Sequence, residues 1–115
     1  MIVADDDEKL RIAIRRMLEI FGCRVTEALH GGEAIEKHVA DPADILLTDL
    51  VMDGKEGLET IRTFRERFPA VRIIAMSGGG VGSAETYLRM AAHFGATRTL
   101  AKPFTMDQLR EALSS

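Results

Sequence analysis

An α/β fold built on a five-stranded parallel sheet with helices on both faces is predicted from two observations. Short apolar runs rich in β-branched residues alternate five times with segments of helical spacing. Three of those runs are nearly continuous in apolar residues, as strands buried on both faces are. Strand–helix alternation of this kind calls for right-handed crossovers between parallel strands.

The first run is Ile2–Ala4. After it Leu10, Ile14, Met17, Leu18 and Phe21 form one apolar stripe, the spacing of an amphipathic helix. Asp7 is placed to cap its start and Gly22 to end it in the left-handed conformation. The second run, Arg24–Ala28, precedes a helix carried by Ala34, Ile35, His38 and Val39, with Pro42 beyond its end. The third, Ile45–Thr48, precedes Leu58, Ile61, Arg65 and Phe68, and Pro69 stops that helix because proline lacks the N–H the next turn needs. Val71–Met76 is the fourth. Tyr87, Met90, Ala91 and Phe94 mark its helix, stopped by Gly95, with Tyr87 placed toward the core. Thr97–Ala101 is the fifth, followed by a short helix with Met106, Leu109, Ala112 and Leu113.

The chain has 115 residues, one domain's worth, and residues 1–115 are read as a single domain. With 46% hydrophobic and 29% charged residues, composition is that of a globular protein. A net charge of −3 gives no support to nucleic-acid binding. The single cysteine, Cys23, forms no intrachain disulfide and is expected as a buried apolar thiol in a reducing compartment. No apolar run approaches the roughly 18 residues of a membrane span, and no signal peptide is visible. A cytoplasmic location is expected.

In a parallel sheet every strand's carboxyl end lies on one edge, and ligands bind there where strand order reverses. Asp5 and Asp6 follow the first run, Asp49 the third, Ser77 the fourth and Lys102 the fifth. The flavodoxin-like order 2-1-3-4-5 sets the first and third strands side by side, making Asp5, Asp6 and Asp49 neighbours. Clustered carboxylates favour a cation, and oxygen ligands suit Mg²⁺. Zinc is disfavoured, because His30, His38 and His93 are scattered. A carboxylate can also act as a nucleophile toward phosphorus. A lysine would then offset phosphoryl charge.

Four segments resemble the receiver domain of two-component response regulators, and the resemblance covers essentially the whole chain. IVADDDEKLRIAIRRMLE resembles the opening strand, acidic pair and first helix. LLTDLVMDGKEGLE resembles the third strand and its phosphoacceptor, IIAMSGG the fourth strand with its hydroxyl, and GATRTLAKPF the fifth strand with Lys-Pro. The resemblance implies that Asp49 is phosphorylated and that Asp5 and Asp6 hold Mg²⁺, with Asp6 the more direct ligand. It implies that the Val51 carbonyl also ligates the metal, that Ser77 and Lys102 contact the phosphoryl group, and that the peptide before Pro103 is cis.

Three positions depart from the pattern. Thr99 stands where the family usually has an aromatic residue, Asp53 where the loop usually has a proline, and the Gly-rich segment from Ser77 to Gly95 is slightly long. The expected partners are a histidine kinase or phosphotransfer protein, and downstream a protein target or an output domain outside this chain. Neither direct nucleic-acid nor membrane binding is expected. Catalysis is expected to go no further than Mg²⁺-dependent self-phosphorylation and self-dephosphorylation. The alternatives are a receiver-like interaction module independent of phosphorylation and an acid-phosphatase-like hydrolase. The hydrolase needs a substrate pocket and a second catalytic acid, and 115 residues leave little room for a cap. Both a stand-alone receiver and a trimmed piece of a longer protein fit the chain's ends.

Overall fold

Strands and helices alternate along the whole chain in the computed structural model, which describes residues 1–50, 55–78 and 84–114. The order is β1 (Ile2–Ala4), α1 (Glu8–Ile20), β2 (Thr26–Ala28), α2 (Gly31–Ala40), β3 (Ile45–Asp49), α3 (Lys55–Arg67), β4 (Arg72–Ser77), α4 (Ala84–Phe94), β5 (Arg98–Ala101) and α5 (Met106–Leu113). The sheet runs β2-β1-β3-β4-β5, and every pairing is parallel. Fold class and strand order are therefore those the sequence predicts.

Local chemistry sets the boundaries. The Asp7 side chain accepts from the Leu10 N–H and caps α1. Gly22 follows α1 at φ 86°, a conformation cheap only for glycine. His30 caps α2 by accepting from the Glu33 N–H through Nδ1. Thr105 and Gln108 close a reciprocal capping box on α5.

Strand bounds differ from the sequence reading in an instructive way. β2 is shorter than Arg24–Ala28, because its partner β1 begins only at Ile2, opposite Thr26. β3 and β4 each run one residue further, to Asp49 and Ser77, since Asp49 pairs with Met76 and Ser77 with Ala101. Both candidate site residues thus belong to the sheet ladder and take its rigidity.

Side chains alternate across the sheet with the period of two that the pleat imposes. Ile2, Ala4, Leu46, Ile73 and Ala75 face one core with Ala34, Leu58, Ile61, Phe64 and Ala91 from α2, α3 and α4. Val3, Leu47, Ile74 and Met76 face the other with Ile14, Leu18, Leu109 and Ala112 from α1 and α5. Cys23 is half-buried against this second core, less enclosed than expected.

Three residues of the predicted helical stripes are exposed: Val39, Met90 and Met106. In α2 the buried face is Gly31, Ala34 and His38, which turns Val39 about 100° away from it. The same offset separates Met90 from buried Ala91. Met106 opens α5, one turn ahead of buried Leu109. The Tyr87 side chain lies outside the described residues. No helix among the described residues is long and apolar enough to cross a membrane.

His38 is buried between aromatic rings, with centroids 5.4 Å from Phe64 and 4.3 Å from Phe68. Its Nδ1 accepts from the Ala43 N–H at 3.0 Å, so that nitrogen carries no proton. Burial pushes the imidazole below the ordinary 6.5. The unfolded chain therefore binds a proton near pH 6.5 that the folded chain refuses. This contribution to stability is complete above that pH and is lost as pH falls from 6.5 toward the folded value. Urea midpoints compared between about pH 7.5 and about pH 5 are expected to drop more steeply for the wild type than for His38→Gln. Equal slopes would contradict the assignment.

Candidate functional site

The parallel topology puts the carboxyl ends of β1, β3, β4 and β5 on one edge, and the side chains of Asp5, Asp49 and Lys102 meet there. Carboxylate oxygens of Asp5, Asp6 and Asp49 all lie within 4.8 Å of one another. Asp5 is fully buried and Asp49 nearly so, while Asp6 is exposed. Three carboxylates this close could hold a metal ion.

The charge is partly met from within. Lys102 Nζ lies 3.0 Å from Asp5 Oδ2 and 3.3 Å from Asp49 Oδ2. Asp5 Oδ1 accepts from the Asp7 N–H at 2.9 Å. Asp7 therefore has two tasks: its side chain caps α1 and its backbone steadies Asp5. Among the described residues one ammonium meets three carboxylates, a formal excess of two negative charges. At an effective dielectric of about 20, two like unit charges about 5 Å apart repel by roughly 3 kcal/mol.

Ser77 is fully buried. Among the described residues its Oγ has no hydrogen-bond partner, which is a costly state for a buried hydroxyl. The Ser77 carbonyl accepts from the Lys102 N–H at 2.8 Å, so the two residues are tied together through the backbone. The Lys102–Pro103 peptide bond is cis. An oxygen-ligand cluster, an adjacent ammonium and an orphaned hydroxyl suit a hard cation with a phosphoryl group beside it. Val51 and Asp53 lie outside the described residues, as do Gly79 and Gly80. Thr99 is exposed on β5, opposite Ala75.

Sequence reasoning missed two features of this edge. Gly57, in the first turns of α3, sits so close that an added Cβ would lie 2.7 Å from Leu50 Cα and 2.9 Å from the Asp49 carbonyl oxygen. It lets α3 rest directly on the backbone that carries Asp49. Arg11 is the second. It is buried on α1 in line with Ile14 and Leu18, donates from Nη1 to the Asp5 carbonyl at 2.8 Å and from Nε to Glu27 Oε1 at 2.8 Å. That hydrogen bond from Arg11 holds the Glu27 carboxyl below its ordinary 4.5; burial opposes the shift and Arg15 adds to it. The signal for Arg11 was available: a cation on the apolar face of an amphipathic helix needs a buried partner.

Over residues 1–114 the chain matches the family model described as response regulator receiver domain. The DNA-binding transcriptional regulator NtrC of Escherichia coli K12 is 31% identical over 106 residues, covering 92% of this chain and 22% of NtrC. The chain thus spans about a fifth of that relative's length. Among solved structures, the receiver domain of NtrX from Brucella abortus superposes with a TM-score of 0.88 at 22% identity, covering 99% of this chain and 98% of that one. A response regulator from Burkholderia pseudomallei, solved with a phosphorylated aspartic acid, a calcium ion and citrate, gives a TM-score of 0.85 at 28% identity, covering 99% and 65%.

Two outcomes follow from the geometry. Asp49→Asn removes one of the clustered charges, so in chelator-treated buffer its urea-denaturation stability is expected to exceed the wild type's by about 1–3 kcal/mol. The gap is expected to shrink as divalent cation is added. Gly57→Ala forces backbone apart beside Asp49 and is expected to cost about 1–3 kcal/mol in the same assay. A less stable Asn variant or a neutral Ala variant would contradict these readings.

Proposed function

The chain belongs to the family of response regulator receiver domains, and on that premise we propose that it is a phosphorylation-controlled signalling switch with Asp49 as phosphoacceptor. The observation that carries the reading is the ammonium of Lys102 shared between Asp5 and Asp49, with the buried Ser77 Oγ, unpartnered among the described residues, at the end of neighbouring β4. In this reading an Asp49 carboxylate oxygen attacks the phosphorus of a phosphohistidine in line. A P–O bond forms, the P–N bond breaks, and the imidazole leaves with the electron pair.

Asp5, Asp6, Asp49 and the Val51 carbonyl would hold Mg²⁺, which supplies positive charge against the phosphoryl oxygens when bound. Lys102 would turn from Asp5 toward the new phosphoryl group and pair with it. Ser77 Oγ–H would donate to a phosphoryl oxygen and so gain its missing partner. Lys102 and Ser77 are linked through backbone, so a shift at one bears on the other. That bias on an existing equilibrium would alter the affinity for a partner.

The donor in this account is a histidine kinase or phosphotransfer protein. The reader is a downstream protein, or an output domain outside this chain of the kind a DNA-binding relative such as NtrC implies. The protein would act in the cytoplasm as a switch, with no turnover beyond its own phosphorylation and dephosphorylation. The phosphorylated aspartic acid of the Burkholderia pseudomallei neighbour is consistent with the same chemistry here. One observation favours a second reading, a docking module independent of phosphorylation: Thr99 is exposed on β5, where the family usually carries an aromatic residue.

Incubation with a small phosphodonor and Mg²⁺, followed by intact-mass spectrometry, decides between them. One phosphoryl adduct is expected on the wild type and none on Asp49→Asn, with the rate for Lys102→Met down by about 100-fold. A wild type that takes no adduct, yet binds its partner unchanged in beryllofluoride, would favour the docking module.

A further inference from the structure

We propose that Arg11 is a positioning residue for the acidic pair, holding the peptide between Asp5 and Asp6 and thereby the direction of both carboxylates. The inference rests on the receiver reading given above.

β1 ends at Ala4, the last residue in register with Ala28 and Thr48. The Asp5 N–H still reaches the Ala28 carbonyl at 3.1 Å, but the Asp5 carbonyl has passed the last ladder pair. Asp5 is fully buried, so water does not replace the missing donor. Arg11 Nη1 supplies it at 2.8 Å. That carbonyl belongs to the peptide linking Asp5 to Asp6, so one hydrogen bond orients the backbone carrying both carboxylates.

Arg11 is itself fixed. It is only 7% exposed, and its Nε is bonded to Glu27 Oε1. The other Glu27 oxygen accepts from Arg15 Nη1 at 2.6 Å, and the Glu27 carbonyl accepts from Lys37 Nζ. A clamp drawn from α1, β2 and α2 thus closes on the end of β1. The planar guanidinium delivers two donors in fixed directions, which an ammonium cannot do.

The clamp matters because the side-chain hold on Asp5 is shared. When Lys102 turns toward a phosphoryl group, Asp5 Oδ2 loses that partner. The Asp7 N–H on Oδ1 remains, and so does the backbone anchoring that Arg11 provides. Partners of this kind commonly govern metal affinity as strongly as the ligands they orient.

Charge and positioning predict opposite signs. By charge alone, removing a cation beside three carboxylates would tighten divalent binding. By positioning, it would weaken it. A purely structural role would lower unfolding stability and leave the affinity of the folded protein alone.

The test is Mg²⁺ titration by calorimetry on wild type, Arg11→Met, Arg11→Lys and Glu27→Gln, at a temperature where circular dichroism shows each folded. Arg11→Met is expected to bind Mg²⁺ about tenfold more weakly or worse. Arg11→Lys is expected to recover only part of the loss, and Glu27→Gln to show a smaller weakening. Glu27→Gln carries the test if Arg11→Met does not fold. Unchanged or tighter binding by Arg11→Met, or full recovery by Arg11→Lys, would overturn the positioning role and leave the receiver reading standing. A wild type that binds no Mg²⁺ would overturn the phosphorylation-switch reading and this inference with it.

Discussion

A single ammonium stands between two nearly dry carboxylates: Lys102 Nζ bridges Asp5 at 3.0 Å and Asp49 at 3.3 Å. Each group arrives from the end of a different strand. A buried carboxylate without a cation is heavily penalised, and so is a buried ammonium without an anion. The bridge therefore ties the ends of β1, β3 and β5 to one another. Among the described residues it also leaves the edge short of positive charge, and that shortage gives an incoming cation something to gain.

The sheet makes this possible. Parallel pairing brings residues 5, 49 and 102, remote in sequence, to one edge, and the 2-1-3-4-5 order makes β1 and β3 neighbours there. Because Asp49 and Ser77 close the ladders of β3 and β4, their backbones are held by the core beneath. Gly57 lets α3 press on the chain beside Asp49 from the other side. Among the described residues Ser77 Oγ is then a buried donor without an acceptor. Cost and readiness are aspects of one arrangement, since the groups that strain the resting edge are those a phosphoryl group and its cation would satisfy.

Much of this was legible in the sequence, for a definable reason. Apolar runs mark strands, alternation marks parallel pairing, and parallel pairing dictates which residues share an edge. Asp5, Asp6, Asp49, Ser77 and Lys102 could be placed together without coordinates, and Asp7 and Gly22 announced the ends of α1 through their capping chemistry. Arg11 and Glu27 were not placed, because their hydrogen bond spans 16 residues and depends on how α1 rolls against β2. Val39 and Met90 were assigned inward because helical spacing alone leaves a rotation of one residue open; the burial of His38 and Ala91 settles it. Gly57 escaped notice because its importance lies in the backbone it touches.

The central claim is that Lys102 is a counter-ion on loan, held by Asp5 and Asp49 at rest and drawn away once a phosphoryl group occupies the edge. A crystal structure of the protein with Mg²⁺ and beryllofluoride tests it most directly. The account predicts Lys102 Nζ within hydrogen-bonding distance of the beryllofluoride on Asp49 and released from Asp5, with Ser77 Oγ bonded to the same group. Lys102 still seated on Asp5, with Ser77 Oγ still unpartnered beside a bound beryllofluoride, would contradict it.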